Sequence, residues 1–155
     1  MLFRSVPTAI DCVIIPSATY SPVITGNAYA YNLTIQNGGI LLVNSGNNIT
    51  VTDIVDVNSG GQFYLKDSAS LIQINNVANL GIIDVERITQ PMYRFDYTYW
   101  GSPVTFASNF TLGNLSPETL SDKFFSWIPT TGANFFGTWN YETNATIMNP
   151  TKLAV

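Results

Sequence analysis

Eight consecutive residues concentrate the chemistry of this 155-residue chain. Between positions 93 and 100, Tyr93, Phe95, Tyr97 and Tyr99 alternate with Arg94, Asp96, Thr98 and Trp100. A period of two predicts a β-strand with one aromatic face. Rings on such a face stack on pyranose sugars, their polar tips reach hydroxyls, and Arg94 and Asp96 supply a polar rim. Tyr97, Tyr99 and Trp100 are therefore the first candidate ligand-binding residues, with Trp127 and Trp139 next. A simpler reading competes at every ring. Large aromatic side chains are highly buried on average, so one face of the strand, Trp127 and Trp139 are expected to serve as core.

Other chemistries fall on single counts. The chain has no histidine, which removes Ser-His-Asp and Cys-His nucleophile pairs and histidine-ligated zinc. Its one cysteine, Cys12, follows Asp11 and leads into Val13-Ile14-Ile15. It is expected to be a small buried residue at a strand start. Asp53, Asp56 and Asp67 are the residues that would gather round calcium, but their spacing matches neither an EF-hand loop nor the Gly-Asp nonapeptide repeat. They read as solvated or turn-capping aspartates, and no metal or other cofactor is expected. Only three glutamates exist, none in a suggestive motif, so the chain is not expected to be an enzyme. Glu86 with Arg87 and Arg94 with Asp96 read as local ion pairs.

These residues must be positioned by a chain of unusual composition. Charged residues are 10%, hydrophobics 46% and aromatics 13%, so the chain is too apolar and aromatic to be disordered. A formal net charge of −4, with six Lys and Arg, offers no basic footprint for nucleic acid. The longest aliphatic run, Ile40–Val43, is far short of the ~20 residues a membrane span needs. The start of the chain carries no apolar stretch of the kind found in signal peptides.

Composition changes near residue 90. Between Pro22 and Pro91 there is no proline, and the aromatics are Tyr29, Tyr31, Phe63 and Tyr64, whereas five of eight prolines and fourteen of twenty aromatics lie from Pro91 onward. The first half repeats. Leu41-Leu42-Val43 recurs as Phe63-Tyr64-Leu65 and as Ile82-Ile83 with Val85, and Ile49-Thr50-Val51 recurs as Leu71-Ile72-Gln73-Ile74. Leu33-Thr34-Ile35 recurs as Val55-Asp56-Val57, and glycine turns at Gly38-Gly39, Gly60-Gly61 and Gly81 keep step. A period of about 20–22 residues with three short strands predicts a β-solenoid of about three coils. An antiparallel sandwich is the competing fold, and the in-step glycines favour the solenoid. The expected organisation is an N-terminal strand or cap over 1–22, solenoid repeats over 23–90 and an aromatic-rich antiparallel β region over 91–155. Within the last, Ser116-Pro117-Glu118 reads as the opening of a short helical turn.

The run from Ile83 through Gln90-Pro91-Met92 to Trp100-Gly101-Ser102-Pro103-Val104 resembles a segment of large surface and secreted proteins of Bacteroidetes, chiefly flavobacteria. Leu115-Ser116-Pro117, Leu120 to Trp127 and Met148-Asn149-Pro150-Thr151-Lys152 continue the likeness, as do the repeats and the opening Val6-Pro7-Thr8. The resemblance implies export by the type IX secretion route and a role as an adhesin, a gliding-associated protein or a carrier of other domains. It implies no catalytic residues. Such relatives continue past the Thr-Lys step, so this chain reads as a fragment or a shortened relative.

The functional expectation is a non-catalytic extracellular structural or adhesive module of a cell-surface or secreted protein, with a glycan or another cell-surface molecule as partner. The alternatives are a carbohydrate-binding module and a self-associating filament subunit, since solenoid ends expose strand edges.

Overall fold

The computed structural model describes residues 6–93, 96–100, 110–129 and 137–148. The chain forms two compact units, Met1–Ile88 and Thr89–Val155.

The first unit is a parallel β-solenoid. Its first coil holds β1 (Val13–Ile15), β2 (Val23–Ile24) and β3 (Asn27–Ala30). The second holds β4 (Leu33–Ile35), β5 (Ile40–Val43) and β6 (Asn48–Val51), and the third holds β7 (Val55–Val57), β8 (Gln62–Leu65) and β9 (Ser70–Gln73). A further short strand, β10 (Asp84–Val85), begins another turn. Stacking gives three parallel sheets, ordered β1-β4-β7, β2-β5-β8-β10 and β3-β6-β9. The stack thus starts at Val13, upstream of the segment in which the repeats are legible.

The aligned repeats stand in register. Leu41 pairs with Phe63, Leu33 with Val55, and Ile49 with Leu71, all in parallel. Ile83, one residue before the Asp84–Tyr64 pair, packs against the same core. Inward side chains alternate with outward ones along each strand, so Leu33, Ile35, Leu41, Val43, Ile49, Val51, Val55, Val57, Phe63 and Leu65 are buried in one column. Polar side chains also stack: Asn48 donates to Asn27 Oδ1 at 2.9 Å and Asn75 to Asp53 Oδ1 at 3.0 Å.

The glycines mark one corner. Gly38, Gly60 and Gly81 have φ of 73°, 82° and 82°. Gly39, Gly61 and Gly81 press against the carbonyls of Ile15, Ile35 and Val57, which are register partners in successive coils. A side chain there would collide with the backbone of the coil before, so the corner selects glycine for space as well as for dihedral angle.

The second unit contains an antiparallel hairpin of β11 (Phe124–Ile128) and β12 (Thr138–Glu142). It also holds a short helix, α1 (Leu112–Leu115). Thr111 caps this helix in a reciprocal arrangement with Asn114, and Ser116 ends it. The expected helical start at Ser116 is thus corrected: Ser116 opens a turn, its carbonyl accepting from the Thr119 N–H at 3.1 Å. Thr111 and its capping box won the helix start. Leu112, Phe124 and Met148 form a small buried cluster with Trp100, Phe110 and Leu115 against it.

Candidate functional site

Alternation along the hairpin builds the site. β11 and β12 pair Phe125 with Tyr141 and Trp127 with Trp139, which places four rings on one face. Phe125 and Tyr141 meet edge to face with centroids 5.6 Å apart, and Trp127 and Trp139 at 4.9 Å and 61°. Two tyrosines from the segment before the helix join them. Tyr97 packs edge-on against Phe125 at 5.9 Å, and Tyr99 lies tilted against Trp139 at 6.2 Å. The six rings form one continuous aromatic surface, and it is open to solvent. Tyr97 is 55% exposed, Tyr99 64%, Trp139 46% and Tyr141 54%.

The expected burial of these rings is therefore corrected. A two-stranded hairpin has two faces, and here the opposite face is the buried one. Phe124, Ser126 and Glu142 are buried on it. The Glu142 carboxylate accepts from Ser126 Oγ at 2.7 Å, Asn140 Nδ2 at 2.9 Å and Thr146 Oγ1 at 3.0 Å. Satisfying this carboxylate fixes which face turns inward, because a buried charge must be held by donors.

Local backbone chemistry explains where Tyr97 and Tyr99 sit. The described part of Tyr93–Trp100 forms no extended strand, which corrects the reading from alternation. The Asp96 carboxylate accepts the Tyr93 N–H at 2.8 Å, and the Asp96 N–H donates to the Tyr93 carbonyl at 3.0 Å. This turn competes with a sheet ladder for the same backbone groups. Arg94 and Phe95 lie outside the described residues, and with them the expected Arg94–Asp96 pair. Trp100 parts from its neighbours and packs against the buried Leu112 cluster.

A rim of charge lies near the phenols. Lys123 donates to Asp122 Oδ2. This bond holds the Asp122 carboxyl below its ordinary value and raises the Lys123 ammonium above its own, with the Tyr141 and Tyr97 phenols adding to the latter. Both side chains are exposed. Among the described residues, the surface offers ring faces, phenolic hydroxyls and the Asp122–Lys123 ion pair, a set suited to stacking and hydrogen bonding.

Of the sequence-predicted residues, the structure brings together Tyr97, Tyr99, Trp127 and Trp139 and sends Trp100 elsewhere. Phe125 and Tyr141 were missed. The signal for them was present in the alternation Phe125-Ser126-Trp127 and Trp139-Asn140-Tyr141. Phe135 and Phe136 lie outside the described residues.

The remaining candidates resolve individually. Among the described residues, no three of Cys, Asp and Glu come together to hold a metal. Asp53 and Asp67 work in turns: Asp67 accepts from the Ile88 N–H at 2.8 Å and Ser68 Oγ at 2.9 Å. Asp56 lies in β7 opposite Thr34. Glu86 pairs with Lys66 at 3.1 Å, whereas Arg87 donates to the Glu86 and Ala69 carbonyls, which corrects the expected Glu86–Arg87 pair. Beyond the end of β10 the Glu86 carboxylate turns to Lys66, while backbone carbonyls take up the Arg87 guanidinium. Cys12 is exposed, not buried. It precedes Val13 and so shares the outward phase of Ile14, with Asn32 Nδ2 at 3.9 Å from its sulfur. Among the described residues, no helix is long and apolar enough to cross a membrane.

Comparison with known proteins places these features in a family. No curated protein and no solved structure matches the chain. The model of one family, described as a domain of unknown function (DUF8693), matches residues 2–153. With nearly the whole solenoid and hairpin inside that match, the chain belongs to the DUF8693 family.

Proposed function

We propose that the chain is a non-catalytic adhesive module of a cell-surface or secreted protein, and that the hairpin's aromatic face holds a glycan. The observation that carries the reading is the exposed assembly of Tyr97, Tyr99, Trp139 and Tyr141 around the half-buried Trp127 and Phe125. Exposed aromatic surface of this extent is costly to leave in water and is suited to a partner with apolar faces and polar edges. Pyranose rings have that character, and phenolic hydroxyls complete the recognition. The solenoid serves as the structural element of the same chain. Location at the cell surface rests on the likeness of residues 83–104 to exported bacterial proteins.

The non-catalytic part of the reading is supported by the chemistry of the face. The carboxylate buried on the back of the hairpin, Glu142, accepts from the side chains of Ser126, Asn140 and Thr146. A carboxylate so engaged on the buried face is turned away from the open rings and poorly placed to act on a ligand held there.

Retention on immobilised polysaccharides and glycan arrays tests this, using wild type, Tyr99→Ala and Trp139→Ala. Truncating a ring that anchors the ligand costs about 2 kcal/mol, or about 30-fold in affinity. Both variants should lose retention while circular dichroism stays unchanged. Wild type that is retained by no glycan would overturn the proposal. Trp100→Ala is unsuitable as a probe, because that ring supports the small core.

A further inference from the structure

The rings of the hairpin face stand in two groups of three. Tyr97, Phe125 and Tyr141 meet around one cross-strand pair, and Tyr99, Trp139 and Trp127 meet around the next. Phe125 and Trp127 are two residues apart on β11, so the groups are separated by about 7 Å along the strand. Within each group the ring planes are turned against one another. Phe125 lies at 88° to Tyr97 and 82° to Tyr141, and Trp139 lies at 61° to Trp127 and 45° to Tyr99. These four contacts contain no coplanar pair. Edge-to-face contact sets the positive edge of one ring against the negative face of the next, which holds the tilt in place. The surface is therefore ridged and not flat.

The polar tips of the same rings are unused. Among the described residues, the phenols of Tyr97, Tyr99 and Tyr141 and the indole N–H groups of Trp127 and Trp139 have no hydrogen-bond partner. On the opposite face of the hairpin, by contrast, Ser126, Asn140 and Thr146 all donate to Glu142. Polar tips on half-exposed rings are placed to bond a ligand's own hydroxyls, one by one.

We propose that this face, on the reading above that it holds a glycan, takes separate hydrated sugar chains and not the flat faces of crystalline polysaccharide. A crystal face is rigid, so several rings reach it together only when they lie in one plane. Its hydroxyls are also bonded to neighbouring chains, which leaves little for phenols and indoles to engage. A separate chain turns to follow tilted rings and offers its hydroxyls to every tip. The two groups of rings seat two sugar units of that chain.

Two binding measurements on the full chain test this. One is calorimetry with the soluble hexasaccharides of glucose, N-acetylglucosamine and mannose, extended by an array of soluble glycans. The other is depletion from solution by crystalline cellulose and crystalline chitin. A soluble chain should bind, and neither crystalline form should deplete the protein. Combining Tyr97→Phe, Tyr99→Phe and Tyr141→Phe keeps the rings and removes the hydroxyls. This variant should bind the soluble chain at least about 10-fold more weakly, with an unchanged circular dichroism spectrum. Depletion by a crystalline form, with weaker binding of the matching hexasaccharide, overturns the proposal and leaves the glycan reading standing. Undiminished binding by the phenylalanine variant overturns it as well. If neither soluble nor crystalline glycan binds, the glycan reading falls and this proposal with it.

Discussion

Trp127 and Trp139 are cross-strand partners whose ring centroids lie 4.9 Å apart, and between them they join the two strands of the hairpin and its open face. Trp127 also lies over Gly137, whose φ is 81° and where any side chain would run into the indole. The pair therefore has a structural contribution separable from ligand binding. A double-mutant cycle with Trp127→Leu and Trp139→Leu should give a coupling of about 0.5–1.5 kcal/mol in denaturant unfolding. A coupling near zero would show that the rings are neighbours without mutual stabilisation.

Gly81 and Gly46 separate two reasons for glycine. Both have positive φ, 82° and 72°, but a side chain at Gly81 would strike the Val57 carbonyl, whereas one at Gly46 meets open space. Gly46→Ala should cost about 1 kcal/mol, the dihedral term alone. Gly81→Ala should cost at least about 2 kcal/mol more, because the last turn of the stack must shift to admit it. Urea midpoints of the two variants give the comparison, and equal losses would contradict the close-approach argument.

Ser68 is the sole described non-glycine residue with positive φ, at 61°. It occupies the turn after β8, at the place that Gly46 takes after β5. Ser68→Gly should raise stability by about 0.5–1 kcal/mol, the strain relieved exceeding the entropy lost. The gain is partly offset by removal of the Ser68–Asp67 hydrogen bond. Thermal melting with the variant below wild type would refute it.

Asp67 gives the first unit a dependence on acidity. The Ile88 N–H, and then the Ser68 hydroxyl, hold its carboxyl below the ordinary value of 3.8. A carboxyl depressed in the folded state stabilises the fold above its unfolded value and loses that contribution as pH falls through the folded value. Wild type should therefore lose melting temperature on acidification below about pH 4, and Asp67→Asn should show a shallower fall over the same window. Parallel curves would remove Asp67 from the account.

The solenoid was legible because its constraints act at fixed intervals. Leu41 and Phe63, or Leu33 and Val55, are aligned by the sequence repeat and are register partners in space. The first coil was less legible: β2 is two residues long, and Pro16 and Pro22 interrupt the repeat. In the second unit, alternation misled at Tyr93–Trp100, since the Asp96 side chain captures the Tyr93 backbone and turns the chain. The same alternation was reliable at Trp139 and Tyr141, where the buried Glu142 anchors one face. The site's rings were mostly identified, whereas their exposure was not, because it depends on which hairpin face is held inward.

Every coil is aligned by contacts to the one before it, at offsets of 19 to 22 residues. Length changes in such a ladder are tolerated in whole periods and penalised in single residues. One residue added within β5 would turn Leu41 and Val43 outward, whereas an added turn at the corner after Val51 would simply lengthen the column. Descendants of this sequence are thus free to grow taller by duplication while remaining intolerant of slippage inside a rung.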